Sequence, residues 1–516
     1  MSALELLSRD FGSFAAVFAE QVKERADHPA VIHGDHVVSY AEFGAFTARI
    51  AAALQRDGAG HGDVVALCAG ATTYAYVSAY VGALRSGATA APLALSATPQ
   101  SLAAMLADSG AKAFFLDSAA AEALATVPSR SGARRVAMDG SDAGAPLEAW
   151  LAPPGAEPAP FEPAPGDGFN IIYSSGTTGE PKGIIQPFSM RWAHLRRGVY
   201  PRGCVTMIST PLYSNTTLVS LLPTLANGGT LVLMPKFDAG EFLRLAERWR
   251  ATHAMLVPVQ YRRILEHPAF DSFDLSSFQM KYSTSAPFPA DLKAETLRRW
   301  PGGLTEFYGM TEGGGTFMLL AHEHPDKLHT VGKPLPGHDI RLIGEDGREV
   351  ATGEVGEVVG RSGAMMVGYH NQAGKTREAE WIGPDGARFI RTGDVGRFDA
   401  DGFLTLLDRK KDMIISGGFN VFPSDLEAEL AQHPAVLEAA VVGVASRRWG
   451  ETPVAFVALK PGAAAERDAL REWVNARLGK TQRIADVQIL DHLPRSAIGK
   501  VLKRDLRDGY AGPALD

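Results

Sequence analysis

Apolar and polar positions alternate along this chain in two periods, and the two periods take turns. "DVVALCAG" (Asp63–Gly70) is a short continuous apolar run of the kind a buried strand shows. "YAYVSAYVGALRSG" repeats its apolar positions at helical spacing and stops at Gly87. "ATAAPLAL" and "KAFFLD" (Lys112–Asp117) are again strand-like. "GTLVLMPKFDAGEFLRLAERW" predicts a strand, a turn near Asp238 and an amphipathic helix reaching Trp249, after which "ATHAMLVPV" resumes the sheet. Strands alternating with helices predict α/β architecture with largely parallel sheets.

Two interruptions divide the pattern. A Pro/Ala/Gly-rich stretch from Pro146 to Pro165 predicts a surface connection without its own structure. Farther on, the charged patch inside "LLDRKKDMIISGG" (Leu406–Gly418) separates two apolar runs. Beyond it, "PSDLEAELAQH", "LEAAVVGV", "PVAFVALK", "ERDALREWVNARL" and "VQIL" read as helix, strand, strand, helix, strand. That is enough for a small α+β domain. The predicted fold is α/β, with a large N-terminal domain (1–408) of layered α/β subdomains and a small C-terminal α+β domain (409–516).

Composition narrows the classes. At 516 residues, 46% hydrophobic and 21% charged, the chain can bury large cores and holds more than one domain or subdomain. A net charge of -7 with no basic run argues against a nucleic-acid partner. The apolar stretches, such as Leu218–Leu225, break too soon to span a bilayer, so no stable membrane insertion is expected. The start "MSALELLSRDFGSF" lacks a signal-peptide pattern and "GPALD" lacks a targeting or lipid signal, which predicts a cytoplasmic protein. Cys68 and Cys204 are too isolated for a disulfide framework and are expected to be buried thiols. "HEH" (His322–His324) has no acidic or cysteine cluster to complete a metal site.

Four polar stretches stand out. "YSSGTTGEPKG" (Tyr173–Gly183) follows the apolar run Phe169–Ile172; its glycines, hydroxyls and lysine suit either a plain loop or a cradle for phosphates, though not a Walker A motif. "FYGMTEGGG" (Phe307–Gly315) sets an aromatic, a hydroxyl and a carboxylate in succession, suited to a base, a phosphate and Mg²⁺, or simply a strand end entering a turn. In "RTGDVGRFDADG", Asp394 suits ribose hydroxyls or a turn. "PRSAIGK" ends on Lys500, near the C-terminus.

Together with "GEVGEVVGR" and "DRKKDMIISGGFNVFPSDLE", and in this order, these stretches resemble the adenylate-forming (AMP-binding) superfamily, in its acyl- and aryl-CoA synthetase type. The resemblance runs from about Phe14 to Lys500. It implies that Ser174, Ser175, Gly176, Thr177, Thr178, Gly179 and Lys182 surround the β- and γ-phosphates of ATP. Thr311 would contact the α-phosphate and Glu312 would hold Mg²⁺. Tyr308 would stack on adenine, with Ser285, Ala286 and Pro287 on its other face. Asp394 and Arg409 would hold the ribose, and Lys411 would be the hinge. Gly417 and Gly418 would allow close approach of the pantetheine arm of coenzyme A. Lys500 would bridge the substrate carboxylate and the α-phosphate.

The departures concern the turn and the acyl pocket. Asp408 stands where the family commonly has glycine, and Ser214, followed by Asn215, stands after Tyr213 where many relatives have histidine. Thr284 and Ser285 replace smaller residues and predict a slightly narrower or more polar pocket, whereas Gly313, Gly314 and Gly315 would leave space. The expected activity is ATP-dependent ligation of a carboxylic acid to CoA through an acyl-adenylate, releasing AMP and pyrophosphate. The expected acid is an aryl-propenoate of hydroxycinnamate type or a medium-chain fatty acid. The alternatives are an enzyme that loads a carrier protein and an inactive nucleotide sensor. The joint presence of Glu312, Asp394 and Lys500 argues against the sensor.

Overall fold

Burial on both faces forces the parallel strands of this chain to be short and apolar, and the helices between them to be capped sharply. The computed structural model describes all residues except 129, 175–180, 417–418, 480–481, 497–498, 513–514 and 516. The chain forms two compact units. The first comprises Met1–His329, Pro334–Asp339 and Gly360–Ile390; the second comprises Thr330–Lys333, Ile340–Val359 and Arg391–Asp516.

The first unit holds two large sheets. In one, Val205–Ile208, His253–Leu256, Met280–Ser283 and Gly303–Gly309 run parallel, and Thr316–Leu320 returns antiparallel at their flank. In the other, Val64–Cys68 lies parallel between Thr89–Pro92 and Ala113–Leu116. There Gly168–Ser174 pairs antiparallel with Lys182–Pro187, Ser174 opposite Lys182. The strands Val64–Cys68, Thr89–Pro92 and Ala113–Leu116 are almost wholly buried, as strands covered on both faces are.

Local signals set the helix ends. Helix Tyr74–Ser86 starts on a Thr73 cap and ends at Gly87, whose φ of 89° is left-handed. Helix Ala239–Arg248 starts where the Asp238 side chain accepts from the Glu241 N–H. Cys68 and Cys204 are free and buried, as expected. No helix among the described residues is long and apolar enough to cross a membrane.

In the second unit, Ile414–Ser416, Phe419–Val421, Val436–Ser446, Gly450–Leu459 and Asp486–Leu490 form a sheet. Helices Pro423–Ala431 and Arg467–Asn475 bury Leu426, Leu430, Leu470 and Val474 in the same core as Val441, Val457 and Val487. The predicted order of elements is all present. The fold is α/β with a C-terminal α+β part.

The Pro146–Pro165 stretch departs from expectation at its start. Leu147–Trp150 is one helical turn, and Leu147, Trp150, Leu151 and Ala152 are buried. The Trp150 indole meets Phe115 edge-on at 5.3 Å and donates to Asp57 Oδ2 at 2.7 Å. A turn this short has no periodicity to read, and its composition hides the anchor. Trp150→Ala is therefore expected to destabilise the fold by about 3–5 kcal/mol, seen as a lowered thermal unfolding midpoint. A midpoint unchanged from wild type would return this stretch to a solvated connection.

Candidate active site

Parallel strands place their carboxyl ends together, and ligands of open α/β sheets bind outside those ends. Strand Val205–Ile208 leads into Thr210–Asn215, strand Met280–Ser283 into Thr284–Pro287, and strand Gly303–Gly309 into Thr311 and Glu312. A hydroxyl pair joins the first two exits, and Gln186 reaches from the first to the third. The hydroxyls of Thr216 and Ser285 are 2.6 Å apart. Gln186, from the other sheet, donates to the Thr311 carbonyl at 2.7 Å and reaches Asn215 Oδ1 at 3.5 Å. Ser285 holds a φ of 80°, a left-handed conformation that costs a non-glycine residue energy and clusters at working sites.

Glu312 is held from two sides. Its carbonyl accepts from the Met366 N–H at 2.8 Å, and its Oε1 accepts from the Tyr369 hydroxyl at 2.9 Å. The same Tyr369 ring lies 5.2 Å from the Lys182 ammonium. Tyr369 thus joins two residues that the motifs named separately, yet no motif reading picked it out. The structure also adds Gln186 and the buried Asn170 and Arg191 behind it. Arg191 Nε donates to Asn170 Oδ1 at 2.7 Å, and Asn170 Nδ2 donates to Gln186 Oε1 at 3.0 Å.

Some residues expected at a pocket also have partners in the scaffold. Ser214 is buried and caps helix Asn215–Ala226, accepting from the Thr216 N–H. Tyr213 is partly buried, its hydroxyl 3.0 Å from that of Ser96. Gly313 and Gly314 do not open space. A Cβ on Gly313 would collide with the Ala364 carbonyl, and one on Gly314 would lie 2.6 Å from the Gly360 carbonyl oxygen. These glycines allow close packing at positive φ. Tyr308 is half-buried, beside Phe317 at 5.4 Å. Ser175–Gly179, Gly417 and Gly418 lie outside the described residues, as does the side chain of Ser174.

The second unit carries the other predicted residues. Asp394 and Arg409 are cross-strand partners, with Oδ1 and Nε 3.2 Å apart. Arg391 grips Glu357 through Nε and Nη2, at 3.1 and 2.5 Å, and Lys410 adds a contact at 3.2 Å. Although burial opposes ionisation of Glu357, those two cations hold its carboxyl below the usual range. Asp408 accepts from the N–H groups of Arg409 at 2.7 Å and Ser424 at 3.0 Å, so this departure from glycine ties the strand to helix Pro423–Ala431. Lys411 is exposed in the following turn. The Ser496 N–H donates to the Lys500 carbonyl at 2.8 Å.

Glu312 offers one hard carboxylate oxygen beyond its Tyr369 bond. Magnesium is commonly held by one or two carboxylates together with substrate phosphates, so the donor set fits that ion. Among the described residues no cluster of three or more His, Cys, Asp or Glu forms a metal cage.

The chain is similar to known proteins over most of its length. Residues 18–370 match the AMP-binding enzyme family and residues 425–500 its C-terminal domain. Feruloyl-CoA synthase from Amycolatopsis sp is 34% identical over 495 residues, covering 93% of this chain and 95% of that protein. Fatty acid–[acyl-carrier-protein] ligase ScoC from Streptomyces coeruleorubidus is 31% identical over 497 residues, covering 94% of each. The structure of o-succinylbenzoate CoA synthetase from Bacillus subtilis, in complex with its acyl-adenylate intermediate, superposes with a TM-score of 0.81 at 26% identity, covering 96% of this chain and 99% of that one.

Tyr369→Phe keeps the ring beside Lys182 and removes the hydroxyl on Glu312. It is expected to raise the Mg²⁺ concentration needed for half-maximal AMP release by ~10-fold or more. An unchanged Mg²⁺ dependence would show that the Tyr369 hydroxyl does not position Glu312.

Proposed function

The chain belongs to the AMP-binding enzyme family, and from that premise we propose how its own residues divide the work. It is an acid–thiol ligase of the AMP-forming type, using ATP, Mg²⁺ and CoA. The acid we assign is an aryl-propenoate or a medium-chain fatty acid. The relatives named for feruloyl-CoA and for fatty acids support both classes. We take CoA rather than a carrier protein as the acceptor, in keeping with the relative named for feruloyl-CoA, and we place the reaction in the cytoplasm.

The observation that carries this reading is the pairing of Glu312 and Lys182 on Tyr369, next to the Gln186–Thr311 bond. In the first half-reaction a carboxylate oxygen attacks the α-phosphorus and the bond to the β-phosphate breaks, releasing pyrophosphate. Both reactants are anions, so neutralising charge must be placed where negative charge gathers. Lys182, with the hydroxyls and glycines from Ser174 to Gly179, takes the β- and γ-phosphates. Thr311 takes the α-phosphate, and Glu312 holds the Mg²⁺ that offsets phosphate charge when bound. Tyr308, with Ser285, Ala286 and Pro287, takes the adenine, and Asp394 with Arg409 the ribose. Lys500 bridges the carboxylate and the α-phosphate.

In the second half-reaction the CoA sulfur attacks the acyl carbon, the bond to AMP breaks and the thiol gives up its proton. Gly417 and Gly418 flank the pantetheine arm. A boundary at 408/409 with Lys411 as hinge would let Lys500 serve the first step and withdraw from the second.

Lys500→Ala is expected to slow acyl-adenylate formation by ~100-fold or more while leaving thioester formation from supplied acyl-adenylate within about tenfold of wild type. Single-turnover assays of each half-reaction measure this. Equal losses in both would contradict the role given to Lys500.

A further inference from the structure

Helix Phe188–Leu195 and the residues after it bring together basic groups that the reaction above does not use. Arg191 is fully occupied by Asn170 and Gln186, with the His194 ring at 3.5 Å. Arg197 is not. Among the described residues its single side-chain hydrogen bond is a long one, from Nη2 to Thr316 Oγ1 at 3.5 Å. Among the described residues, no carboxylate lies within ion-pairing distance of its guanidinium.

The imidazoles around it do not balance its charge. His194 is buried beside it, and His338 accepts from the Thr316 N–H at 3.0 Å. Burial, and then the Arg197 charge, depress His338 to about 4; His194 is pushed down by burial and the same arginines. Both imidazoles are thereby neutral at pH 7. Burial lowers Arg197 to about 10, which leaves it charged. A largely desolvated guanidinium with no anion is costly, and its planar fork matches a carboxylate with two parallel bonds.

The strand register locates this charge relative to the chemistry. Thr316 pairs with Gly309, Met318 with Phe307 and Leu320 with Thr305. Alternate residues share a face, so Thr316 lies on the same face as Met318 and Leu320. Those two, with Gly198, Val199, Met280 and Tyr282, line a cleft of about 320 Å³. Arg197 therefore meets Thr316 between that cleft and the strand ends that present Thr311. Paired Cα atoms are about 5 Å apart, and Gly309 to Thr311 spans at most ~7 Å. The guanidinium thus stands within the reach of a short acid whose carboxylate reacts at Thr311.

We propose that Arg197 recognises a second carboxylate at the far end of the acid, so that the preferred substrate is a compact dicarboxylic acid, aliphatic or aromatic. The proposal rests on the acid–CoA ligase reading and revises the acid assigned there, giving the fatty or aryl acid a second carboxylate at its far end. A monoacid of the same size would leave the guanidinium unpaired.

Matched pairs test it: hexanoate against adipate, octanoate against suberate, and cinnamate against 4-carboxycinnamate, each with ATP, Mg²⁺ and CoA. For at least one pair the wild-type enzyme is expected to favour the diacid by about tenfold or more in kcat/KM. In R197M the diacid-to-monoacid ratio for that pair is expected to fall below one, mainly through KM, with R197K between the two. Wild-type preference for the monoacid in every pair overturns the proposal without touching the ligase reading, and needs no variant. A ratio unmoved by both R197M and R197K overturns it as well. Absence of AMP with every acid overturns both readings together.

Discussion

One buried amide holds the first unit together at its chemical end. Gln186 sits in the sheet that carries the Ser174–Lys182 segment, and it donates to Thr311 at the end of a strand of the other sheet. Its oxygen accepts from Asn170 and from Arg191, so both ends of the amide are satisfied. A buried polar group is stable only when so paired, and a slip of one residue in either strand would strand every member of the network. The spacing between the phosphate-facing segment and Thr311–Glu312 thus follows from a packing requirement. Tyr369 repeats the device at the surface of the same site, linking Lys182 and Glu312 through one ring and one hydroxyl.

Much of the fold was legible because its signals are local. Gly87 ends a helix with the left-handed φ that glycine tolerates, and Asp238 begins one by accepting a backbone N–H. The alternation of short apolar runs with helical stretches led directly to parallel sheets. What could not be read depends on distance along the chain. Tyr369 lies 57 positions from the Glu312 it orients, and Gln186 lies 125 from Thr311. Neither residue type is unusual in a strand, so neither advertises its role. Gly313 and Gly314 were readable as special but not as to why. Spare room and close backbone approach both call for glycine, and only the Ala364 and Gly360 carbonyls decide between them. Ser214 shows the same ambiguity, since a hydroxyl beside a helix start serves the helix first.

The electrostatics of the first unit is uneven in an informative way. Lys293 is buried against Glu306, whereas the buried Lys281 ammonium is held by the Trp300, Pro301 and Gly302 carbonyls. The group around Arg191 and Arg197 has only neutral partners. Arg191 spends its hydrogen bonds on the amides that fix Gln186, which explains its presence. Arg197 touches a threonine on the face that leads away from the reacting end, which gives it reach toward a ligand rather than toward the scaffold. Fold and chemistry are thus separable here: one arginine builds the frame and the other faces what the frame is meant to hold.

The central claim is that this chain activates a carboxylic acid as its adenylate before any thiol is engaged. Exchange of labelled pyrophosphate into ATP, measured without CoA across mono- and dicarboxylic acids, tests that step alone. The account predicts exchange that requires both Mg²⁺ and a particular acid and that proceeds in the absence of thiol. Exchange that appears only when CoA is supplied, or that ignores the acid, would contradict it.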